Sequence, residues 1–383
     1  MIPPSAPPPV RKRLRFSEVF IIGAIAALIA LAAMNVLANM AAAGVQPGFS
    51  FLFKEAGFDV SESLIPYGPD DSYARVILTG LINTIFLAVV CLVLSTVIGV
   101  LFGLISVGPS PIGRGLAQAY VELFRNLPKI LILLVLFVVA VNGLPHVRDA
   151  LALGPFRLSN RSINFPTVVW NARLWIPLAA IPVGMGIALY WKYWAGRYRQ
   201  KTGRDIPCYP LAVVLAVPVL SVFLFDVPIG LSVPELKGFD FAGGGRLSIQ
   251  FVVIAITLSI YHGAQIAEVV RGGLQAIPPG QTEAARALGL KSRQIVRLIV
   301  LPQVIRIIIP PMNNQYVNLI KNTSIAIAVG YSDLMSVSGT IINQTFKPLE
   351  MMLITMGIYL GLCVSLTTVI NRFHQHLTAR ETR

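Results

Sequence analysis

Charged residues are scarce in this sequence: Asp, Glu, Lys and Arg make up 13% of its 383 residues, about half the share of a soluble domain. With 55% hydrophobic residues and a mean hydropathy of +0.72, that scarcity excludes a soluble globular protein and implies an integral membrane protein. Cysteine is scarcer still. Cys91, Cys208 and Cys363 lie far apart with no His or Cys at metal-ligand spacing beside them, which argues against a metal site and reads most simply as core thiols. The four histidines, at 146, 262, 374 and 376, are scattered, and no Ser/His/Asp set, paired catalytic carboxylates or H-E-x-x-H helix accompanies them. The chain shows no means of catalysis of its own.

Long apolar runs are abundant. Read as membrane helices of about 20 residues, they give eight crossings, at 19–38, 76–107, 115–141, 174–191, 211–225, 249–269, a broken segment 303–336, and 349–370. The expected fold is an all-α integral membrane protein. Basic residues cluster on one side of this alternating path. Arg11, Lys12, Arg13 and Arg15 precede the first span, Lys192, Arg197, Arg199, Lys201 and Arg204 follow the fourth, and Arg271, Arg286, Lys291, Arg293 and Arg297 follow the sixth. Arg372, Arg380 and Arg383 follow the eighth, whereas the loop 39–75 opposite is acidic through Glu55, Asp59, Glu62, Asp70 and Asp71. Both termini are therefore expected in the cytoplasm. The same distribution accounts for the net charge of +14 without a nucleic-acid partner, because the basic residues form no single stripe. The first apolar run is about 20 residues against the 7–15 of a cleaved signal, and reads as an uncleaved anchor.

The polar loop between the sixth and seventh spans holds Glu283-Ala284-Ala285-Arg286-Ala287-Leu288-Gly289, followed ten residues later by Ile299-Val300-Leu301-Pro302. Thr282 can cap a short helix that carries Glu283 at the positive end of its dipole, and Gly289 can close it in a left-handed turn. Ala284, Ala285 and Ala287 keep that helix slim enough for a groove on another protein. Ser292 can open a second helix running up to Pro302. The spacing E-A-A-x3-G-x9-I-x-L-P resembles the cytoplasmic loop of bacterial binding-protein-dependent ABC importer permeases and matches it at every defined position. The plain alternative is an amphipathic helical hairpin on the membrane surface with no partner.

Further stretches sharpen the resemblance. Gly80-Leu81-Ile82-Asn83-Thr84, Glu122-Leu123-Phe124-Arg125-Asn126-Leu127-Pro128, Glu268-Val269-Val270-Arg271-Gly272-Gly273 and Lys321-Asn322-Thr323-Ser324 are similar to landmarks of the polar-amino-acid branch. Leu127, where Thr is usual before the Pro, and Lys129 depart from the branch pattern. The length, with a mid-chain insertion, resembles the longer permease of general L-amino acid uptake systems. The resemblance implies a type I ABC importer permease core of five spans, here with one N-terminal span and a two-span insertion.

Along the chain this gives a Pro-rich basic tail at 1–17, a first span and loop at 18–75, and the first part of the core at 76–142. The insertion at 143–248 follows, with spaced prolines at 210, 218 and 228 and a flexible Gly243-Gly244-Gly245 turn. The second part of the core, 249–372, contains the coupling loop at 270–302, and 373–383 is a second tail. The resemblance further implies coupling through Glu283, Ala284, Ala285, Gly289, Leu301 and Pro302. It implies ATPase subunits, a second homologous permease as a heterodimer, a periplasmic substrate-binding protein and an amino-acid substrate as partners, in the bacterial inner membrane beside lipid. No cofactor is expected on this chain. G-x-x-x-x-G-K-[ST] is absent, since Gly289-Leu290-Lys291-Ser292 has no Gly directly before its Lys, so ATP and Mg belong to the partner ATPase.

A charge at membrane depth costs about 2.5–3.5 kcal/mol, so Glu122, Arg125 and Lys321 need a partner or a wet cavity. Counted from Gly115 at about 1.5 Å per residue, Arg125 sits near the midplane, with Pro128 freeing backbone groups beyond it. An amino-acid carboxylate could pair there; equally, Glu122 and Arg125 on one helical face could neutralise each other. Lys321-Asn322-Thr323-Ser324 follows a break expected at Pro310-Pro311, which would turn its donors into a cavity. The alternative there is a lysine snorkelling to headgroups. The candidate substrate path is Glu122, Arg125, Asn126, Lys321, Asn322, Thr323 and Ser324. His262 suits helix packing better and stays outside the set, and Glu268 pairs with Arg271 to brace the loop. An ion-gradient-driven secondary transporter of small polar solutes also suits broken helices and buried charge, but gives no reason for the loop. A scaffold or intramembrane enzyme would need a domain or a catalytic set that is not visible.

Overall fold

The computed structural model describes residues 16–42, 48–202, 209–228 and 230–378. The tail before residue 16, Arg204, Cys208, Arg380 and Arg383 lie outside the described residues. The chain is mainly helical. Its helices are α1 (Phe16–Ala42), α2 (Tyr73–Ser106), α3 (Pro111–Asn126), α4 (Lys129–Gly143), α5 (Trp175–Thr202) and α6 (Pro210–Leu224). They continue with α7 (Ile249–Gln275), α8 (Pro279–Ala287), α9 (Ser292–Ile295), α10 (Leu301–Asn322), α11 (Leu334–Thr345) and α12 (Pro348–Thr378).

Among the described residues five helical stretches are long and apolar enough to cross a membrane, and the bent pair α3–α4 makes a sixth. The expected count of eight is not reached on length and composition. The apolar stretches at Phe20–Ala32 in α1 and at α6 are short; the 15 residues of α6 reach only about 22 Å at 1.5 Å per residue, against a hydrocarbon core of about 30 Å.

Helices α2 and α7 form the centre of the bundle, and they touch through glycine. Gly99 and Gly103 on α2 are a G-x-x-x-G pair facing α7. A Cβ on Gly99 would lie 2.4 Å from the Ile266 side chain and 2.9 Å from the Gly263 carbonyl, and one on Gly103 2.7 Å from Val270. Such close backbone approach is how helices associate in lipid, where the hydrophobic effect offers no drive between them. At this contact Ile266, Val270 and Met312 are buried together, and Leu87, Ile254, Leu258, Leu319 and Tyr331 belong to a larger buried cluster of the bundle. Cys91 and Cys363 are buried free thiols, in line with their reading as core residues.

Two expectations about helix breaks are corrected. Residues 115–141 are not one straight span: α3 and α4 meet at 101°, because Pro128 donates no backbone N–H and holds Leu127 extended at φ −86°, ψ 139°. Conversely, Pro310 and Pro311 lie inside α10 without ending it. Their fixed φ near −65° is compatible with helix, so the two lost donors do not end it. The break comes later, where a 3₁₀ turn over Thr323–Val329 ends on Gly330 at φ +77°. Asp333 then caps α11 by accepting from Ser336 N at 2.9 Å.

The all-α expectation needs one addition. The insertion carries short antiparallel strands, β1 (Leu151–Leu153), β2 (Phe156–Leu158), β3 (Ser162–Phe165), β4 (Thr167–Val168), β5 (Leu231–Ser232), β6 (Glu235–Lys237), β7 (Asp240–Ala242) and β8 (Gly245–Ser248). The largest sheet has the order β1-β2-β3-β8 and hands the chain to α7 through the Ser248 cap, which accepts from Phe251 N at 3.1 Å. The glycine turn, expected to be flexible, is pinned: a Cβ on Gly244 would meet Phe165 O at 2.5 Å.

The segment before α2 is tied onto this end of the bundle. Asn83 Nδ2 donates to the carbonyls of Glu62 and Ser332, both at 2.8 Å, and the Ser248 hydroxyl donates to the Glu62 carboxylate. Burial raises the Glu62 pKa above its ordinary value of 4.5, the hydrogen bond from Ser248 opposing it. A raised carboxyl pKa favours the folded state while the group is protonated, so this contribution is full below pH 4.5 and is lost as pH rises through the folded value. Glu62→Gln is therefore expected to raise the thermal midpoint at neutral pH and to flatten its fall above pH 4.5, measured on the detergent-purified protein.

Candidate functional site

The loop helix α8 starts earlier than the Thr282 cap predicts. Pro278 is its N-cap, Pro279 its first residue, and the Thr282 hydroxyl donates back to Pro279 O at 2.8 Å, so Glu283 sits in the second turn. The C-terminus matches expectation. Gly289 N donates to Arg286 O at 2.9 Å and Leu290 N to Ala285 O at 3.2 Å, with Gly289 at φ +77°, which is the Schellman pattern. Glu283, Ala284 and Gly289 are exposed, and Leu288 is 81% exposed, an apolar side chain offered outward. Ala285 is 1% exposed, on a helix that packs against α9 and the following turn.

The second helix is also corrected. Lys291, whose N–H donates to Gln294 Oε1 at 2.9 Å, is the cap of α9, not Ser292. The rod does not stop at Pro302 but runs from Ser292 to Val329 as one long span. Pro302 instead leaves its mark one turn upstream. With no N–H to donate and a ring that crowds the carbonyl four residues back, it widens Val296–Val300 into a π turn. Leu301 is exposed and Pro302 half-buried directly after this bulge.

The charged residues of α3 occupy a different place from the one expected. Arg125 Nη1 lies 3.9 Å from Glu268 Oε2 on α7, so its partner is Glu268 and not Glu122. Glu268 is also gripped by Arg271, Nε donating at 2.9 Å and Nη2 at 2.5 Å, the expected brace. These groups surround a cavity of about 190 Å³ that Glu122 also lines, while Asn126 is exposed at the end of α3. Glu268 is six residues beyond His262 on α7, about 9 Å nearer the α8 end. Arg125 therefore lies well short of the middle of the bundle, because the 101° bend turns α3 aside.

Lys129 reaches the middle instead. His262 lies midway along Ile249–Gln275, about 20 Å from either end, and is 2% exposed. The α3–α4 bend, braced by Tyr120 Oη donating to Ile260 O at 2.7 Å, delivers the first residue of α4 to that level. The Lys129 ammonium donates to Asn322 Oδ1, and Asn322 Nδ2 lies 3.0 Å from His262 Nε2. Because the Asn322 oxygen is taken by Lys129, its amide N–H is the donor to the ring, which fixes His262 as a neutral imidazole with its proton on Nδ1. The polar cavity around this relay has a volume of about 370 Å³ and is completed by Tyr261, Gln265, Gln315, Asn318 and Lys321.

Of the four donors expected after the Pro310-Pro311 break, Lys321 and Asn322, at the end of α10, line this cavity. Thr323 is buried with its hydroxyl on Ile320 O at 2.8 Å, and Ser324 donates to Lys321 O at 2.8 Å, so both are spent on the local turn. Sequence reasoning missed Lys129, Gln265, Gln315 and Asn318, and set His262 aside. The usable signals were Lys129 departing from the family pattern and an ionisable ring at the centre of a span.

Residues 95–381 match the family of binding-protein-dependent transport system inner membrane components. YhdX of Escherichia coli K12, a putative amino-acid ABC transporter permease protein, is 35% identical over 91% of this chain and 89% of its own length. AapQ of Rhizobium johnstonii, a general L-amino acid transport system permease protein, is 35% identical over 91% of this chain and 88% of its own. BztB of Rhodobacter capsulatus, a glutamate/glutamine/aspartate/asparagine transport system permease protein, is 32% identical over 91% and 89%. Carrying a family match across most of its length on a bundle of apolar spans, the chain belongs to the binding-protein-dependent transport system inner membrane components, the permeases of ABC importers.

Proposed function

We propose that this chain is the permease subunit of an ATP-driven importer that moves amino acids from periplasm to cytoplasm, with hydrolysis on a separate ATPase coupled through the 270–302 loop. The observation that carries the reading is α8: a short helix closed by a Schellman turn, presenting Glu283, Ala284 and Leu288 outward and joined at either end to the long rods α7 and α10. A partner that grips this helix moves both rods, and α7 and α10 hold His262 and Asn322 on the polar cavity. ATP and Mg stay on the ATPase. A homologous second permease completes the passage as a heterodimer, and a periplasmic binding protein delivers the substrate. The basic loops support a cytoplasmic side for α8 and both termini.

The test is transport by proteoliposomes reconstituted with the complex that co-purifies with this chain, with ATP trapped in the lumen and the binding protein and labelled amino acid outside. Amino-acid uptake should require ATP and survive a protonophore, and an ABC ATPase and a second permease should be among the co-purified subunits. Uptake that persists without ATP and collapses with the proton gradient would overturn the reading in favour of an ion-driven transporter.

A further inference from the structure

The cavity beside His262 carries a charge that passage alone leaves unexplained. Lys129 brings a cation to the middle of α7 and Lys321 lines the same space, whereas among the described residues no carboxylate does. A lysine at that depth costs about 2.5–3.5 kcal/mol unless something answers its charge. Lys129 places one of its three donors on Asn322 and its ammonium 6.0 Å from the centroid of the Tyr261 ring; the remaining donors are uncommitted to any anion. His262, held neutral by the Asn322 donor, adds no second cation and can offer no counter-charge, and its buried Nδ1 has no hydrogen-bond partner among the described residues. Pro128 gives α4 no side-chain cap, so the positive end of that helix opens beside Lys129. The volume, about 370 Å³, lies in the range of small-molecule sites.

From this geometry we infer, resting on the permease reading, that the cavity sorts solutes by charge. A carboxylate docks on Lys129, amino acids with an acidic side chain are held best and neutral ones next, and those with a cationic side chain are turned away. Lys129 sets the sign and Asn322 positions it.

The experiment is equilibrium binding of radiolabelled glutamate, glutamine and arginine to the detergent-purified complex obtained through a tag on this chain. The binding protein is left out, so that its own specificity cannot impose the ranking. Glutamate should bind about tenfold or more tighter than arginine, an advantage that shrinks as salt is raised. Lys129→Glu should reverse the order, and Lys129→Gln should bring glutamate level with glutamine. Arginine binding as tightly as glutamate in the unmodified complex, an unchanged order in Lys129→Glu, or no binding of any of the three at millimolar concentration overturns the inference. If Lys129→Glu does not assemble, the ranking in the unmodified complex and in Lys321→Glu decides. ATP-driven uptake by the same complex with its binding protein restored tests the permease reading separately, so the two can fail independently.

Discussion

Replacing Gly289 by valine is expected to lower ATP-driven uptake about 5- to 30-fold while the chain still reaches the membrane. The residue sits at φ +77°, a conformation that costs an L-residue roughly 1–2 kcal/mol, and a β-branched one more. That cost corresponds to the factor given. A Cβ there meets nothing within 4 Å, so the effect comes from the backbone and not from a clash. When valine pulls the turn toward negative φ, the N–H groups of residues 289 and 290 leave the carbonyls of Arg286 and Ala285, the last turn of α8 frays, and Leu288 is no longer presented in one place. The ATPase is then expected to turn over without matched transport. Gly289→Asn is the control, because asparagine tolerates the left-handed region and should retain most of the uptake. Equal losses in the two variants would show that the turn is not what transmits the motion.

How much of this was legible in the sequence depended on whether a feature is local. The Gly289 cap and the Glu268–Arg271 brace follow from residues within a turn or a helix of one another, and each is where the sequence reading put it. Features set by the direction of the chain were not legible. Arg125 was carried to the midplane by counting about 1.5 Å per residue from Gly115 as if 115–141 shared one axis, and the count failed because α3 lies at 101° to α4, so rise along α3 is not rise along the span. Pro310-Pro311 misled in the opposite sense, since a proline's φ is compatible with helix and only its missing donor argues for a break.

The candidate site was half visible for the same reason. Lys321 and Asn322 were found because they stand together in the sequence, but Lys129 joins them from 193 residues away and His262 from 60. No periodicity on α4 or α7 announces that meeting. It exists because the bend in α3–α4 and the 3₁₀ turn after Asn322 bring two helix ends against the middle of α7. Thr323 and Ser324, adjacent to Asn322, do not line this cavity: a helical neighbour turns away by about a quarter of a circle or more, and both hydroxyls donate back to the backbone.

The largest effect on the folded protein is expected at Gly99. Leucine there should leave little folded protein in the membrane, and even alanine should lower the thermal midpoint of the purified complex. The reason is the contact itself: the first added carbon already falls 2.4 Å from Ile266 and 2.9 Å from the Gly263 carbonyl on α7. The first contact is a branched side chain that can give a little, but the second is backbone, which cannot. Overpacking of this kind costs about 1–3 kcal/mol, and in lipid the two helices have no hydrophobic gain that would offset being pushed apart. Because α7 carries His262, Glu268 and the entry to α8, a displaced α7 should also lose the Arg125–Glu268 contact and the Asn322–His262 bond. Gly186 on α5, where a Cβ meets nothing within 4 Å, supplies the comparison. Gly186→Ala should be neutral or stabilising, since alanine in a helix is favoured over glycine by about 0.5–1 kcal/mol. Thermal midpoints that respond alike to Gly99→Ala and Gly186→Ala would mean that α2 and α7 do not depend on this close approach; a loss confined to Gly99 makes the G-x-x-x-G pair the fastening on which the central cavity is built.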